Sequence, residues 1–361
     1  MTEIISIATA LPEHCHPQME ILSFMQDAYG LDETDRRKLK FLYKHSGIEK
    51  RYSVIADYGR SSADWTFIPQ EKENSFPTLE QRMERYDQSA ATLSVQAIEK
   101  CIEPHIAKEA ITHLITVSCT GMRAPGLDLE ILSALQLRPD IFRTSLNFMG
   151  CYAAIHALKL ARMICESTPA SNVVIVCTEF CTLHFQQAFT EDNAASSLLF
   201  ADGSAAILVS NQLKTKHSLS LRGFYSHVVQ KGKDDMSWKL SSQGFLMTLS
   251  SYVPQLIQED ILSLVSEAVR QNQLDLSDIT HWCIHPGGKR ILDMVQNKLH
   301  LDQADLAYSR KVLSDYGNMS SPTVLFVLKE IMEALQEKSA RILGMAFGPG
   351  LTMETFIAER S

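Results

Sequence analysis

DITHWCIHPGG, Asp278 to Gly288, is a β-rich run that ends in small residues, and the chain has used the same design once before, as ITHLITVSCTG from Ile111 to Gly121. An amphipathic helical stretch follows each run, KRILDMVQNKL from Lys289 and LDLEILSALQL from Leu127, with apolar residues at helical spacing. Both copies then predict a short strand running into a small-residue turn, with Cys151 at the first turn and Asn318 at the second. A helix leaves each turn, AAIHALKLARMI from Ala153 and PTVLFVLKEIMEAL from Pro322, where proline suits a first helical turn. Two strands close each copy: SNVVIVCTEF and SSLLFADGSAAILVSN, then SARILGMAFGPG and LTMETFIAER. Strand, helix, strand, helix, strand, strand predicts a mostly parallel sheet with helices on its faces. Two such units stacked together bring matching strand ends, and the turns they carry, to one centre.

The repeat divides the 361 residues into halves expected at 1–215 and 216–361, in keeping with a chain too long for one ordinary core. The stretch Ser53 to Arg85 is polar, holds Pro69 and Pro77, and reads as a cap-like excursion from the first half. A net charge of −8 argues against nucleic acid as the main partner. The eight cysteines form no CxxC pair and no zinc spacing, so no metal is expected. Glu3 stands where a signal peptide wants positive charge, and no uncharged apolar run approaches the roughly 18 residues a spanning helix needs. A reduced, cytoplasmic protein without a membrane span is expected.

Three segments place a reactive or hydrogen-bonding side chain beside small residues that permit close approach: NFMGCYAA around Cys151, CIHPGGKRILD around His285 and SDYGNMSSP around Asn318. A thiol, an imidazole and a carboxamide are the parts for acyl transfer through a thioester. Cys151 attacks as thiolate, its pKa lowered by a helix N-terminus and an imidazolium; His285 stabilises it or shuttles its proton; Asn318 donates to an oxyanion. A separate feature is RRKLKFLYKHSGIEKR, Arg36 to Arg51, which holds seven Lys or Arg against the single Glu49. Such a patch on an acidic protein suggests a landing site for a phosphate-bearing ligand such as coenzyme A.

These residues resemble the type III polyketide synthases, the chalcone-synthase-like branch of the thiolase fold, over nearly the whole chain. The family's GC motif is matched by Gly150-Cys151, HPGG by His285 to Gly288, YGNMSS by Tyr316 to Ser321, and GPGLTxE by Gly348 to Glu354. The family's LFGDG appears as LFADG and puts a gating Phe at Phe200. The resemblance implies a thiolase-like fold of two βαβαβαββ pseudo-repeats in an αβαβα core, and a homodimer. It further implies catalysis by Cys151, His285 and Asn318 on acyl-CoA and malonyl-CoA substrates, without a cofactor. Decarboxylation of malonyl-CoA gives an enolate that attacks the acyl group on Cys151, and repeated rounds end in a cyclised pyrone or resorcinol-type ring.

Departures from the family bear on the pocket. Ala124, before Pro125-Gly126, stands where plant members carry a Met that reaches across the dimer. Cavity threonines are replaced at Cys119, Cys181 and His184, a second gating Phe by Met247, and Trp238 falls near a position that is usually Gly. Ser320 keeps its identity, and Pro349 shapes the wall. For the CoA moiety the resemblance implies Gly287, Gly288 and Lys38, while Phe41 and His45 occupy positions usually basic, with Lys40 and Lys44 expected to substitute. Glu179 is expected near the cavity floor, and Asp202 to buttress a turn. The smaller Cys119 and Ala124, with Met247, favour an aliphatic starter, against which His184 and Trp238 would shorten the cavity. Two rivals remain. A single-round condensing enzyme of the ketoacyl synthase III kind has Gln-Ala rather than Pro-Gly-Gly after its His. A non-catalytic acyl-CoA-binding protein would not need Cys151, His285 and Asn318 intact.

Overall fold

The computed structural model describes residues 1–70, 76–335 and 338–360. The first half runs β1 (Glu3–Ala10), β2 (His14–Pro17), α1 (Gln18–Ala28), α2 (Glu33–Lys44), β3 (Lys50–Ser53) and α3 (Leu79–Ile102). It continues with β4 (His113–Ser118), α4 (Leu127–Leu135), β5 (Phe142–Asn147), α5 (Ala153–Ser167), β6 (Asn172–Phe180), α6 (Glu191–Leu199) and β7 (Asp202–Ser210). The second half has β8 (Leu219–Val228), β9 (Met236–Ser241), β10 (Gly244–Leu249), α7 (Val253–Gln271), β11 (His281–Ile284) and α8 (Lys289–Leu299). It ends with α9 (Ala307–Tyr316), α10 (Thr323–Leu335), β12 (Ala340–Gly348) and β13 (Thr352–Arg360).

Among the described residues, nine strands form one sheet in the order β11-β12-β13-β8-β1-β7-β6-β4-β5. Each half carries the same arrangement, its first strand beside its last, and only Glu3↔Ser220 and Ile4↔Leu219 join β1 to β8 across the seam. Side-chain alternation sorts the two sheet faces. In β6, Val173, Ile175 and Cys177 pack inward while Val174 and Val176 pack outward; in β12, Ile342 and Ala346 pack inward while Leu343, Met345 and Phe347 pack outward. The inward faces of both halves share a core with α5 and α10. On the outer faces, α1, α3 and α4 cover the first half, and α7 and α8 the second. The layers are therefore α, β, α, β, α, as the pseudo-repeat predicts.

The two middle helices show why they sit there. VLFVLKEIMEAL in α10 is buried over most of its circumference, as an all-round apolar helix must be. In α5, Ala153, Ala154, Ala157 and Ala161 are all buried, and their small side chains let the helix lie close to the strands. Burying each large aliphatic side chain here contributes about 1.5–3 kcal/mol.

Two elements differ from expectation. The segment before Asn318 is the helix α9, and all that remains of the expected strand is an isolated bridge, Phe200↔Asn318. The apolar run SSLLF ends α6 instead of opening a strand, because Thr190 caps that helix by accepting the Asn193 N–H. The excursion at 53–85 is built around buried Asp57, whose carboxylate accepts the N–H groups of Thr66, Phe67 and Ile68. Its last residues belong to α3, which opens on a Thr78–Gln81 capping box, and residues 71–75 lie outside the described residues.

Candidate active site

Cys151 stands immediately before α5, in a turn that the sequence makes sharp. Gly150 has φ +82°, and a Cβ there would lie 2.2 Å from Pro349 Cδ, so only glycine fits between the turn and the Pro349 wall. The Gly150 N–H donates to the Cys119 sulfur at 2.9 Å, and the Ala153 N–H closes onto the Gly150 carbonyl at 3.0 Å. Cys119 thus turns its sulfur to the Cys151 turn.

His285 follows β11, held by its N–H to the Met345 carbonyl at 2.8 Å, and Gly287 folds back onto the His285 carbonyl at 2.9 Å. Asn318 is fixed by backbone on both sides: its N–H donates to Leu199 and its carbonyl accepts from Ala201, each at 2.9 Å. Its Oδ1 accepts the Ser320 N–H at 2.8 Å and its Nδ2 donates to the Gly287 carbonyl at 3.3 Å, tying the Asn318 turn to the His285 turn. The Ser320 and Asn318 side chains also act on the Cys151 thiol. The three turns therefore meet, as the repeat predicts. Glu179, near the end of β6, ties the Asn318 turn to the Cys119–Thr120 segment, whose Cys119 sulfur holds the Cys151 turn. It accepts from the Ser321 hydroxyl at 2.7 Å and from the Cys119 N–H and Thr120 hydroxyl at 2.8 Å each.

Burial sets the direction of the pKa shifts at the site. Burial pushes the Cys151 thiol up to about 11, against the downward pull of Ser320 and Asn318. Burial also pushes His285 down to about 3, and both of its ring nitrogens are buried without a hydrogen-bond partner. Desolvation disfavours the charged form of each group and outweighs the hydrogen bonds that favour the thiolate. Both shifts run toward the neutral forms, a thiol and an uncharged imidazole, which suits His285 as a proton shuttle. Burial likewise raises Glu179 to about 7 and Asp202 to about 6. Asp202 accepts from the Val54 and Thr182 N–H groups and from the Thr182 hydroxyl, buttressing the chain behind Phe200.

A cavity of about 30 Å³ lies behind Phe200, with Cys181, His184, Met247 and Trp238 among its lining residues. Its outer wall is the β9–β10 hairpin, a two-stranded sheet separate from the main one. The Trp238 indole donates to the Cys119 carbonyl at 2.8 Å. His184 donates from Nε2 to the Thr120 carbonyl at 2.9 Å and accepts the Phe245 N–H on Nδ1 at 3.2 Å, which fixes its tautomer. Burial holds His184 neutral, near 3, and its ring stacks on Phe245 with centroids 4.2 Å apart. Phe245 went unnoticed in the sequence, as did the roles of Ser321 and Thr120, and Arg51, counted with the basic stretch, is instead buried and donates to the Phe200 carbonyl at 2.6 Å. YGNMSS carries Ser321 in plain view, whereas nothing local to Phe245 announces its partner 61 residues away.

The remaining candidates lie further out. Ala124 is exposed on this chain, Ser320 has φ +62° beside Asn318, and Gly288 packs near Leu199. Lys38, Lys40 and Lys44 are exposed on α2, with Lys38 paired to Asp35 at 2.8 Å. Among the described residues, no cluster of three His, Cys, Asp or Glu can hold a metal, and no helix is long and apolar enough to cross a membrane.

A repeated half-sheet wrapped about two central helices, with Cys, His and Asn turns meeting at its strand ends, is the layout of a thiolase-like condensing acyltransferase. The chain belongs to the chalcone and stilbene synthases: that family's N-terminal domain matches residues 1–212 and its C-terminal domain residues 223–360. It is a type III polyketide synthase. It is 29% identical to type III polyketide synthase A of Arabidopsis thaliana, over 97% of this chain and 91% of the relative. It is 30% identical to alpha-pyrone synthesis polyketide synthase-like Pks18 of Mycobacterium tuberculosis, over 97% and 89% respectively. The crystal structure of PKS-I from the brown alga Ectocarpus siliculosus superposes with a TM-score of 0.90 at 26% identity, covering 100% of this chain and 98% of that one.

Proposed function

We propose that the protein loads an acyl-CoA starter on Cys151, extends it iteratively with malonyl-CoA, and releases a cyclised pyrone or resorcinol-type product. The observation that carries this is the meeting of the His285 and Asn318 turns through the Gly287 carbonyl, and of the Asn318 and Cys151 turns through Glu179 and Cys119. Because both shifts favour the neutral forms, the thiol proton passes to a free nitrogen of His285 as the sulfur attacks the starter carbonyl, and CoA leaves as its thiol. Malonyl-CoA then loses CO₂, and the enolate oxygen takes hydrogen bonds from His285 and Asn318. The enolate carbon attacks the acyl carbonyl, and Cys151 leaves as thiolate and recovers a proton. CoA thioesters are the substrates, and no cofactor is used.

The starter depends on how the hairpin moves. A short acyl group needs little of the space that His184, Phe245 and Trp238 fill, whereas the aliphatic chain favoured by the sequence needs β9–β10 to shift outward. A pyrone product is supported by the similarity to Pks18. We further propose a cytoplasmic homodimer of two-lobed chains, divided near residue 215. β5 is an open sheet edge, and its first residue, Phe142, is 69% exposed on the isolated chain. Sedimentation should give a dimer at micromolar concentration, and a monomer would contradict that assembly. The reaction itself is tested by incubating the protein with malonyl-CoA and acetyl-, long aliphatic and coumaroyl-CoA, then reading product masses. Extension by two-carbon units and ring closure are expected; a product extended once and uncyclised, or none at all, contradicts the proposal.

A further inference from the structure

We propose that Arg51 is a positioning residue of the condensation site, acting through the carbonyl end of α6 on Asn318 and on the Phe200 gate. The proposal rests on the reaction proposed above, in which Asn318 donates to the enolate oxygen. Arg51 lies on β3 and is 2% exposed, and among the described residues no ion pair engages it. A buried guanidinium needs acceptors in place of water, and α6 supplies them. A helix leaves its last four carbonyls without partners inside itself. In α6 the Phe200 N–H makes the last such bond, to the Ser196 carbonyl at 3.1 Å. The four carbonyls after it are all taken from outside. The Tyr43 hydroxyl donates to Ser197 and Gln18 Nε2 to Leu198, each at 3.0 Å. The Asn318 N–H donates to Leu199 at 2.9 Å, and Arg51 Nη1 to Phe200 at 2.6 Å. Arg51 Nε also donates to Gln18 Oε1 at 2.8 Å, so the donors on either side of the Asn318 bond brace each other. The guanidinium thus stands at the negative end of the helix, where its charge strengthens the bond it makes.

The same side chain supports the other side of the Phe200↔Asn318 bridge. Gly317 has φ +71°, and a Cβ there would lie 2.9 Å from both Cγ and Cδ of Arg51, so the turn that presents Asn318 rests on the arginine stem. The neighbours of Arg51 fasten β3 to α9, the helix that leads into that turn. The Glu49 N–H donates to the Ser314 carbonyl at 2.9 Å, and the Tyr52 and Tyr316 rings stack with centroids 6.0 Å apart. Arg51 therefore touches both partners of the bridge, one through its guanidinium and one through its stem. Without it the Phe200 carbonyl loses its donor and Gly317 its support, and the Asn318 amide is free to shift. A shift of about 1 Å in a reacting or stabilising group can cost roughly 10²-fold in rate.

The test is a double-mutant cycle read by malonyl-CoA decarboxylation. Arg51→Gln should lower kcat about 10- to 100-fold with KM held within about threefold. Arg51→Lys keeps the charge without the planar fork, and should recover part of that loss. In an Asn318→Ala background, Arg51→Gln should cost less than about twofold, because the donor it places is already gone. If Arg51→Gln does not fold, Gln18→Leu takes its place, since it leaves Arg51 present but without its Nε acceptor. That variant should lower kcat by about threefold or more with Asn318 intact and leave it unchanged in Asn318→Ala. Amide exchange followed by mass spectrometry should speed up in Arg51→Gln or Gln18→Leu at the peptides holding Ala201 and Asn318, and stay at the wild-type rate in β11. An equal loss of kcat in both backgrounds, or unchanged exchange at Asn318, would overturn the positioning role. If Asn318→Ala decarboxylates malonyl-CoA at the wild-type rate, the proposed reaction loses its donor, while the exchange comparison still decides whether Arg51 holds the turn.

Discussion

The floor of the site and its outer wall are built in opposite ways. The floor is three turns at strand and helix ends, fixed by main-chain hydrogen bonds and by a carboxylate that reaches three of its neighbours. The wall is a two-stranded hairpin outside the main sheet, fastened at Cys119 and His184 by an indole, a backbone N–H and a ring stack, at Asp192 by the Leu249 N–H, and at its turn by the Leu79 N–H. The floor cannot move without breaking backbone pairing in the main fold, whereas the wall is held to the rest of the chain mostly through side chains, with one backbone bond, from the Leu79 N–H to the Ser242 carbonyl. Chemistry that must stay fixed and a pocket that must adapt are thus assigned to separate structures.

Breaking the floor should have the largest effects. His285→Ala and Asn318→Ala should each slow malonyl-CoA decarboxylation by about 10²–10³-fold, the usual cost of removing an oxyanion donor. Rates within a few-fold of wild type would show these groups to be structural. Gly150→Ala comes next. Its Cβ would meet Pro349 Cδ at 2.2 Å with φ at +82°, so the variant should lose activity and several degrees of Tm. Adding Pro349→Ala should recover part of both losses, and purely additive losses would contradict the contact.

The wall should respond differently. Trp238→Ala frees the hairpin from Cys119, so kcat/KM for a long aliphatic starter should rise about tenfold relative to acetyl-CoA. An unchanged ratio would mean that the hairpin does not set chain length.

The floor was legible in the sequence because each turn is a contiguous peptide, with its glycine or serine beside the reactive residue. Gly150-Cys151, His285 to Gly288 and Gly317 to Ser321 needed no distant information. The repeat also fixed the layering, since the strand periods and the apolar α10 allow few other packings. The wall was hidden because its contacts join residues 61 and 119 positions apart, as Phe245 to His184 and Trp238 to Cys119. The direction of the pKa shifts was hidden for a related reason. A thiol and an imidazole in a motif show their chemistry, but their burial is set by the whole fold.

Burial leads to two smaller effects. Since the thiol titrates near 11, iodoacetamide modification of resting Cys151 should speed up about tenfold per pH unit between 7 and 10. A plateau near neutral pH would instead reveal a preformed thiolate. His184 and His285, both near 3 when folded, contribute stability that is full above the unfolded value near 6.5. It is lost as pH falls below 6.5 toward 3, by about 1.4 kcal/mol per pH unit for each histidine. Tm should therefore drop between pH 6.5 and 5, and His184→Gln should make that drop shallower.

The central claim is that one thiol, Cys151, carries the growing acyl chain. Brief exposure to an acyl-CoA followed by peptide mass spectrometry should place the added mass on the peptide containing Cys151, with no adduct in Cys151→Ala. An adduct on Cys119 or Cys181 that persists in Cys151→Ala would contradict the account.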